Sequence, residues 1–69
     1  MSAAKFVVVT DDGMYRQGEK SAFLELDGQP TARLESWKPD GDYIVLCFEG
    51  GVKRAVPESR IRYIDEASA

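Results

Sequence analysis

Of the residue types that commonly do chemistry, one is missing. The 69-residue chain contains no histidine, so Ser-His and Cys-His nucleophile pairs and histidine-ligated metal sites are excluded outright. Asp40 and Asp42 are close enough in sequence to suggest an acid–base pair. Both flank Gly41 in a turn, where solvation leaves carboxylates ordinary and no apolar pocket raises a pKa. Asp11-Asp12-Gly13 has the opening of a calcium loop, but the twelve-residue frame ending in a bidentate Glu does not follow. Gly50-Gly51 before Lys53 lacks the spacing and the following helix of a phosphate loop. The lone Cys47 sits in an apolar run and is expected to pack as a small hydrophobe, in keeping with a reducing compartment. No enzyme activity, cofactor or metal is expected.

Residues suited to contact are easier to find. Lys53, Arg54, Arg60 and Arg62 fall within ten positions, next to Tyr63, whereas Asp11, Asp12, Glu19, Glu25 and Asp27 gather earlier. Trp37 and Tyr43 bracket the turn Lys38-Pro39-Asp40-Gly41-Asp42. Arg, Trp and Tyr supply planar donors and large rigid surfaces at protein interfaces. The expected partner-binding set is therefore Trp37, Tyr43, Arg54, Arg60, Arg62 and Tyr63. The net charge of -3 argues against nucleic-acid binding by charge alone, because affinity for phosphates rests on neutralising them.

The elements that must hold these residues follow from punctuation. Turn signals recur at Asp11-Asp12-Gly13, Gln17-Gly18, Asp27-Gly28-Gln29-Pro30, Lys38-Pro39-Asp40-Gly41 and Glu49-Gly50-Gly51. Between them lie short β-branched and aromatic runs, and no window carries a helical apolar stripe. Strands are expected over Lys5 to Thr10, Ser21 to Leu26, Thr31 to Trp37, Tyr43 to Phe48, Val52 to Val56 and Ile61 to Ile64. Strict alternation sends Ala32, Leu34 and Ser36 to the core and Arg33, Glu35 and Trp37 to the other face. Tyr43 to Phe48 is apolar on both faces and reads as a central strand covered on each side. Pro57 should end its strand at Val56, with Pro57-Glu58-Ser59-Arg60 forming one 3₁₀ turn. Ile61 and Ile64 cannot both face inward along a perfect strand, so a bend or a covering partner is expected there. Residues 66–69, small and polar, are expected to fray, and Asp65 with them.

One small domain spans 1–69, with its core over about 5–65. At this length roughly 60% of the unfolded surface is buried, so stability must come from tight packing or self-association. The longest uncharged apolar stretch, Phe6 to Thr10, falls far short of the ~20 residues of a membrane-spanning helix. A cytoplasmic location is expected.

The sequence Tyr15-Arg16-Gln17-Gly18-Glu19-Lys20, the run from Asp40 to Gly51 and the closing run from Val56 to Ile64 together resemble the Src-homology-3-like small β-barrel, and most nearly its Tudor and KOW-type units. The resemblance covers roughly residues 14–65. It implies an all-β barrel of five to six short antiparallel strands with a one-turn 3₁₀ helix before the last, and the strand around Phe6 to Thr10 is an addition to the minimal pattern. It also implies a small regulator of the transcription machinery, with RNA polymerase or an associated factor among possible partners. Tudor-type domains gather aromatics for cationic ligands near the position of Trp37 and Tyr43, with Tyr15 a third candidate. A trimethoprim-resistant dihydrofolate reductase also uses this barrel. Its Val-Gln-Ile-Tyr motif is replaced here by Val52-Lys53-Arg54-Ala55-Val56-Pro57, so that activity is not expected. The leading expectation is a non-enzymatic protein-binding module. The alternatives are a single-stranded nucleic-acid binder using the same basic residues and a homodimerisation domain, the chain being a monomer or weak homodimer.

Overall fold

The computed structural model describes residues 5–23 and 31–67. Within them seven strands run in the order β1 (Phe6–Thr10), β2 (Gly13–Arg16), β3 (Lys20–Ala22), β4 (Thr31–Asp40), β5 (Tyr43–Phe48), β6 (Lys53–Pro57) and β7 (Ile61–Glu66). A 3₁₀ turn at Glu49–Gly51 separates β5 from β6, and a second at Glu58–Arg60 separates β6 from β7, as expected. Two antiparallel sheets result, ordered β2-β1-β7 and β3-β4-β5-β6. Leu24, Leu26 and the Asp27 to Pro30 turn lie outside the described residues.

A corner joins the sheets. Gln17 donates its amide to the Phe6 carbonyl in the first sheet (3.1 Å), while the next residue, Gly18, donates to the Leu34 carbonyl in the second (2.8 Å). Leu34 in turn donates to the Glu19 carbonyl. β2 and β3 thus form one path that changes sheets over three residues, the usual way a small barrel turns its edge. Gly18, with φ of 88°, supplies the backbone conformation that L-residues avoid. β2 is not among the expected strands, because Gly13 to Arg16 lacks the β-branched run that marks the others.

Two bulges change which side chains face inward. Leu34 pairs with Phe48 but Ser36 pairs with Cys47, so Glu35 is an extra residue on β4. From there the alternation inverts: Ser36, expected in the core, is exposed, and Trp37, expected on the opposite face from Leu34, packs against the core beside Leu34's own cluster. In β7 the register with β1 slips between Val9 and Thr10, leaving Arg62 unpaired between Ile61 and Tyr63. This is the bend expected there, and it lets Ile61 and Ile64 both pack on the core.

The core lies between the sheets and comprises Phe6, Val8, Phe23, Ala32, Leu34, Ile44, Leu46, Phe48 and Val56. Phe23 meets Phe48 edge to face, with centroids 4.8 Å apart and planes at 82°, a favoured geometry for aromatic pairs. β5 is central, and its two faces differ in degree: Ile44, Leu46 and Phe48 enter the core, while on the outer face Val45 is buried, Cys47 half-buried and Tyr43 exposed. β6 continues through Pro57, one residue past the expected stop, because an edge strand tolerates a missing donor. Asp65 and Glu66 do not fray. They pair with Val7 and Phe6, and the Ala67 amide reaches the Lys5 carbonyl.

Candidate functional site

Arg54 is the first expected contact residue to change role. Its cross-strand partner is Leu46, a core residue, so it projects from the inner side of β6. The guanidinium lies 4.5 Å from the centroid of Phe23 and 5.6 Å from that of Tyr15. It donates from Nη1 to the Tyr15 hydroxyl (3.2 Å) and from Nη2 to the Ala22 carbonyl (2.9 Å). Planar, weakly hydrated and rich in donors, an Arg can close a core in this way where a Lys cannot. Arg54 ties β6 to β2 and β3, with both terminal nitrogens engaged within the chain.

Arg60 is likewise engaged. From the second 3₁₀ turn it reaches the β1–β2 hairpin, with Nε 3.6 Å from Asp11 Oδ2 and Nη2 3.6 Å from Asp12 Oδ2. The Asp11 amide returns a hydrogen bond to the Arg60 carbonyl (3.1 Å). Below this hairpin, Thr10 is buried with its hydroxyl satisfied, accepting from the Asp12 amide and donating to the Gly13 carbonyl. Nothing in the sequence alone singles out Thr10, since a Thr ending an apolar strand carries no signal without its turn.

The remaining basic residues are dispersed. Lys53 is exposed on the outer side of β6 opposite Cys47, at the end of that strand away from the second 3₁₀ turn. Arg62 occupies the β7 bulge and is exposed. The four cations that cluster in sequence therefore do not form one patch. The aromatics do not converge either: Trp37 faces inward, Tyr43 outward from the same sheet, and Tyr15 belongs to Arg54. Tyr63 is 54% exposed on the outer side of the three-stranded sheet.

What the fold does assemble is a cleft around Tyr43. Gly41, with φ of 61°, takes the first central position of the two-residue turn between β4 and β5, as a tight hairpin requires. The next residue, Asp42, accepts the Glu58 amide on its carbonyl (2.8 Å), pinning the second 3₁₀ turn against the hairpin. Asp42, Tyr43, Pro57, Glu58 and Ser59 line the resulting open cleft of about 460 Å³. Tyr43 is 47% exposed and is flanked across the sheet by Pro57 on one side and Asp40 on the other. The cleft offers an aromatic ring and a proline ring with carboxylates around them.

Among the described residues, no group of three or more His, Cys, Asp or Glu side chains is placed to hold a metal, and no helix is long and apolar enough to cross a membrane. Comparison with protein-family models, curated proteins and solved structures finds no significant match. The fold is established as a small, all-β, barrel-like one on its own geometry.

Proposed function

We propose that the chain is a non-enzymatic protein-binding module that receives a basic segment of its partner in the Tyr43 cleft. The observation that carries this reading is the exposed Tyr43 ring beside Pro57, with Asp42 and Glu58 lining the same cleft and Asp40 as cross-strand neighbour. A lysine or arginine side chain is complementary to all three features. Its charge meets the carboxylates, its cation meets the ring face, and its aliphatic stem packs on the proline. Phosphate would meet carboxylates here, and two of the basic residues that could have recruited it, Arg54 and Arg60, are occupied within the chain. The resemblance to Tudor and KOW-type units extends the reading to a partner within a transcription or related nucleic-acid machine, and that extension rests on fold analogy.

The test is titration with peptides of equal length that are basic, neutral or acidic, followed by amide chemical shifts. Basic peptides should bind, with perturbations centred on Tyr43, Asp42 and Glu58, and affinity should fall with salt. Equal response to acidic and basic peptides, or binding that leaves these amides unmoved, overturns the reading. Tighter binding of single-stranded oligonucleotides would replace it with nucleic-acid recognition.

A further inference from the structure

The outer face of the three-stranded sheet carries a second surface, separate from the Tyr43 cleft. Across β2-β1-β7, Val9 has Met14 and Tyr63 as its neighbours, and Val7 has Arg16 and Asp65. Directly paired residues project to the same side. Phe6, Val8 and Thr10 are buried on the inner side of β1, so these six point outward. Met14 is 57% exposed and Tyr63 54%, large apolar side chains displayed on the two opposite edge strands of one face. The face therefore has an apolar row, Met14-Val9-Tyr63, and a charged row in which Arg16 and Asp65 stand on opposite sides of Val7.

We infer that this face binds a second copy of the chain about a two-fold axis running parallel to β1. That axis exchanges the β2 and β7 sides while keeping each row in place. Arg16 of one copy then stands over Asp65 of the other, twice per dimer, Met14 stands over Tyr63, and Val7 and Val9 meet their own counterparts. An axis in the same plane but perpendicular to the strands would set the charged row over the apolar row, with no charge meeting its complement. The order cation-apolar-anion across three strands is thus self-complementary in one orientation, as a closed two-fold interface requires. Packed sheets lie about 10 Å apart, a gap that an extended Arg and an Asp bridge together. Within the chain Arg16 reaches Glu19, at 4.0 Å and with both side chains exposed, and the Met14 sulfur on the same face, at 3.7 Å, while Asp65 has no ion-pair partner among the described residues. The methionine sulfur over a tyrosine ring adds a favourable contact. Three short strands make a patch below the standard interface size, so the dimer is weak and depends on concentration.

Sedimentation from micromolar to millimolar concentration should show a reversible monomer–dimer equilibrium. Arg16→Asp sets Asp against Asp65, and Asp65→Arg sets Arg against Arg16. Each should weaken self-association by about tenfold or more, with the folded β-sheet signal unchanged because both positions are at the surface. An equimolar mixture of the two variants should restore the dimer, since one copy then carries two acids and the other two bases at the facing positions. In the unsubstituted chain, concentration-dependent chemical shifts should centre on Val7, Val9, Met14 and Tyr63, which tests the face without any variant. A monomer at millimolar concentration, a dimer indifferent to both charge reversals, a mixture that stays monomeric, or shifts confined to other faces would each overturn the inference. None of these results bears on binding of basic peptides at Tyr43.

Discussion

The guanidinium of Arg54 lies over the ring of Phe23, 4.5 Å from its centroid, and the same group bonds to the Tyr15 hydroxyl. A cation-π contact of this partly desolvated kind contributes about 1–2 kcal/mol, and hydrogen bonds to a charged group add a similar amount. Arg54→Ala should therefore lower unfolding stability by about 2–3 kcal/mol. Arg54→Lys should recover only a fraction, because an ammonium cannot satisfy both acceptors while lying flat on the ring. Urea denaturation of the three proteins measures the difference. A loss below a few tenths of a kcal/mol for Arg54→Ala would show that the clasp is incidental.

Deletion of Arg62 tests the β7 bulge. With the extra residue gone, regular alternation cannot keep both Ile61 and Ile64 on the core, and one leaves it. The expected loss is about 1.5–3 kcal/mol, the burial of one Ile side chain. Arg62→Ala keeps the extra backbone unit, so it should have an effect within about half a kcal/mol. The contrast between the two, read by thermal or urea unfolding, separates backbone register from side-chain chemistry.

Gly41→Ala places a Cβ where φ is 61° and where no atom lies within 4 Å to obstruct it. The cost is then purely that of the backbone conformation, about 1–2 kcal/mol. The Glu58 amide should also exchange with solvent faster, since its hydrogen bond to the Asp42 carbonyl is anchored by this turn. Unchanged stability would mean that the turn adopts another form.

Tyr43→Ala removes an exposed ring and leaves the core intact. Stability should change by less than about 1 kcal/mol, while affinity for a basic peptide falls by roughly tenfold, the loss of one aromatic anchor. Calorimetric titration of both proteins with one peptide checks this. An affinity that stays level places the contact elsewhere on the surface.

Much of the fold was legible in the chain because turns and β-branched runs carry local signals. Tyr43 to Phe48, the Glu49-Gly50-Gly51 turn and the 3₁₀ turn after Pro57 all stand where those signals put them. Trp37 marks the limit. Its inward placement depends on the extra residue at Glu35, and the register between β4 and β5 is a property of two strands that neither encodes alone. The site was harder still. Lys53, Arg54, Arg60 and Arg62 are close in sequence, but β6 and the bulge in β7 send them in different directions, and pairing with Asp11, Asp12, Phe23 and Tyr15 engages two of them. Tyr43 stays exposed at the hairpin end of β5, although Val45 on the same face is buried.

Pairing of Phe6 with Glu66 and of Val8 with Ile64 has a bearing on biosynthesis. β1 is made before β7 and has no edge partner on that side until β7 has followed it. Before then Val7 and Val9 offer an unsatisfied backbone edge, while the β4-β5-β6 meander can already close through short connections. Acquisition of structure should therefore begin in the β4-β5-β6 meander, with β1 and β7 joining later, when the entropy of closing so large a loop is offset by a core already in place.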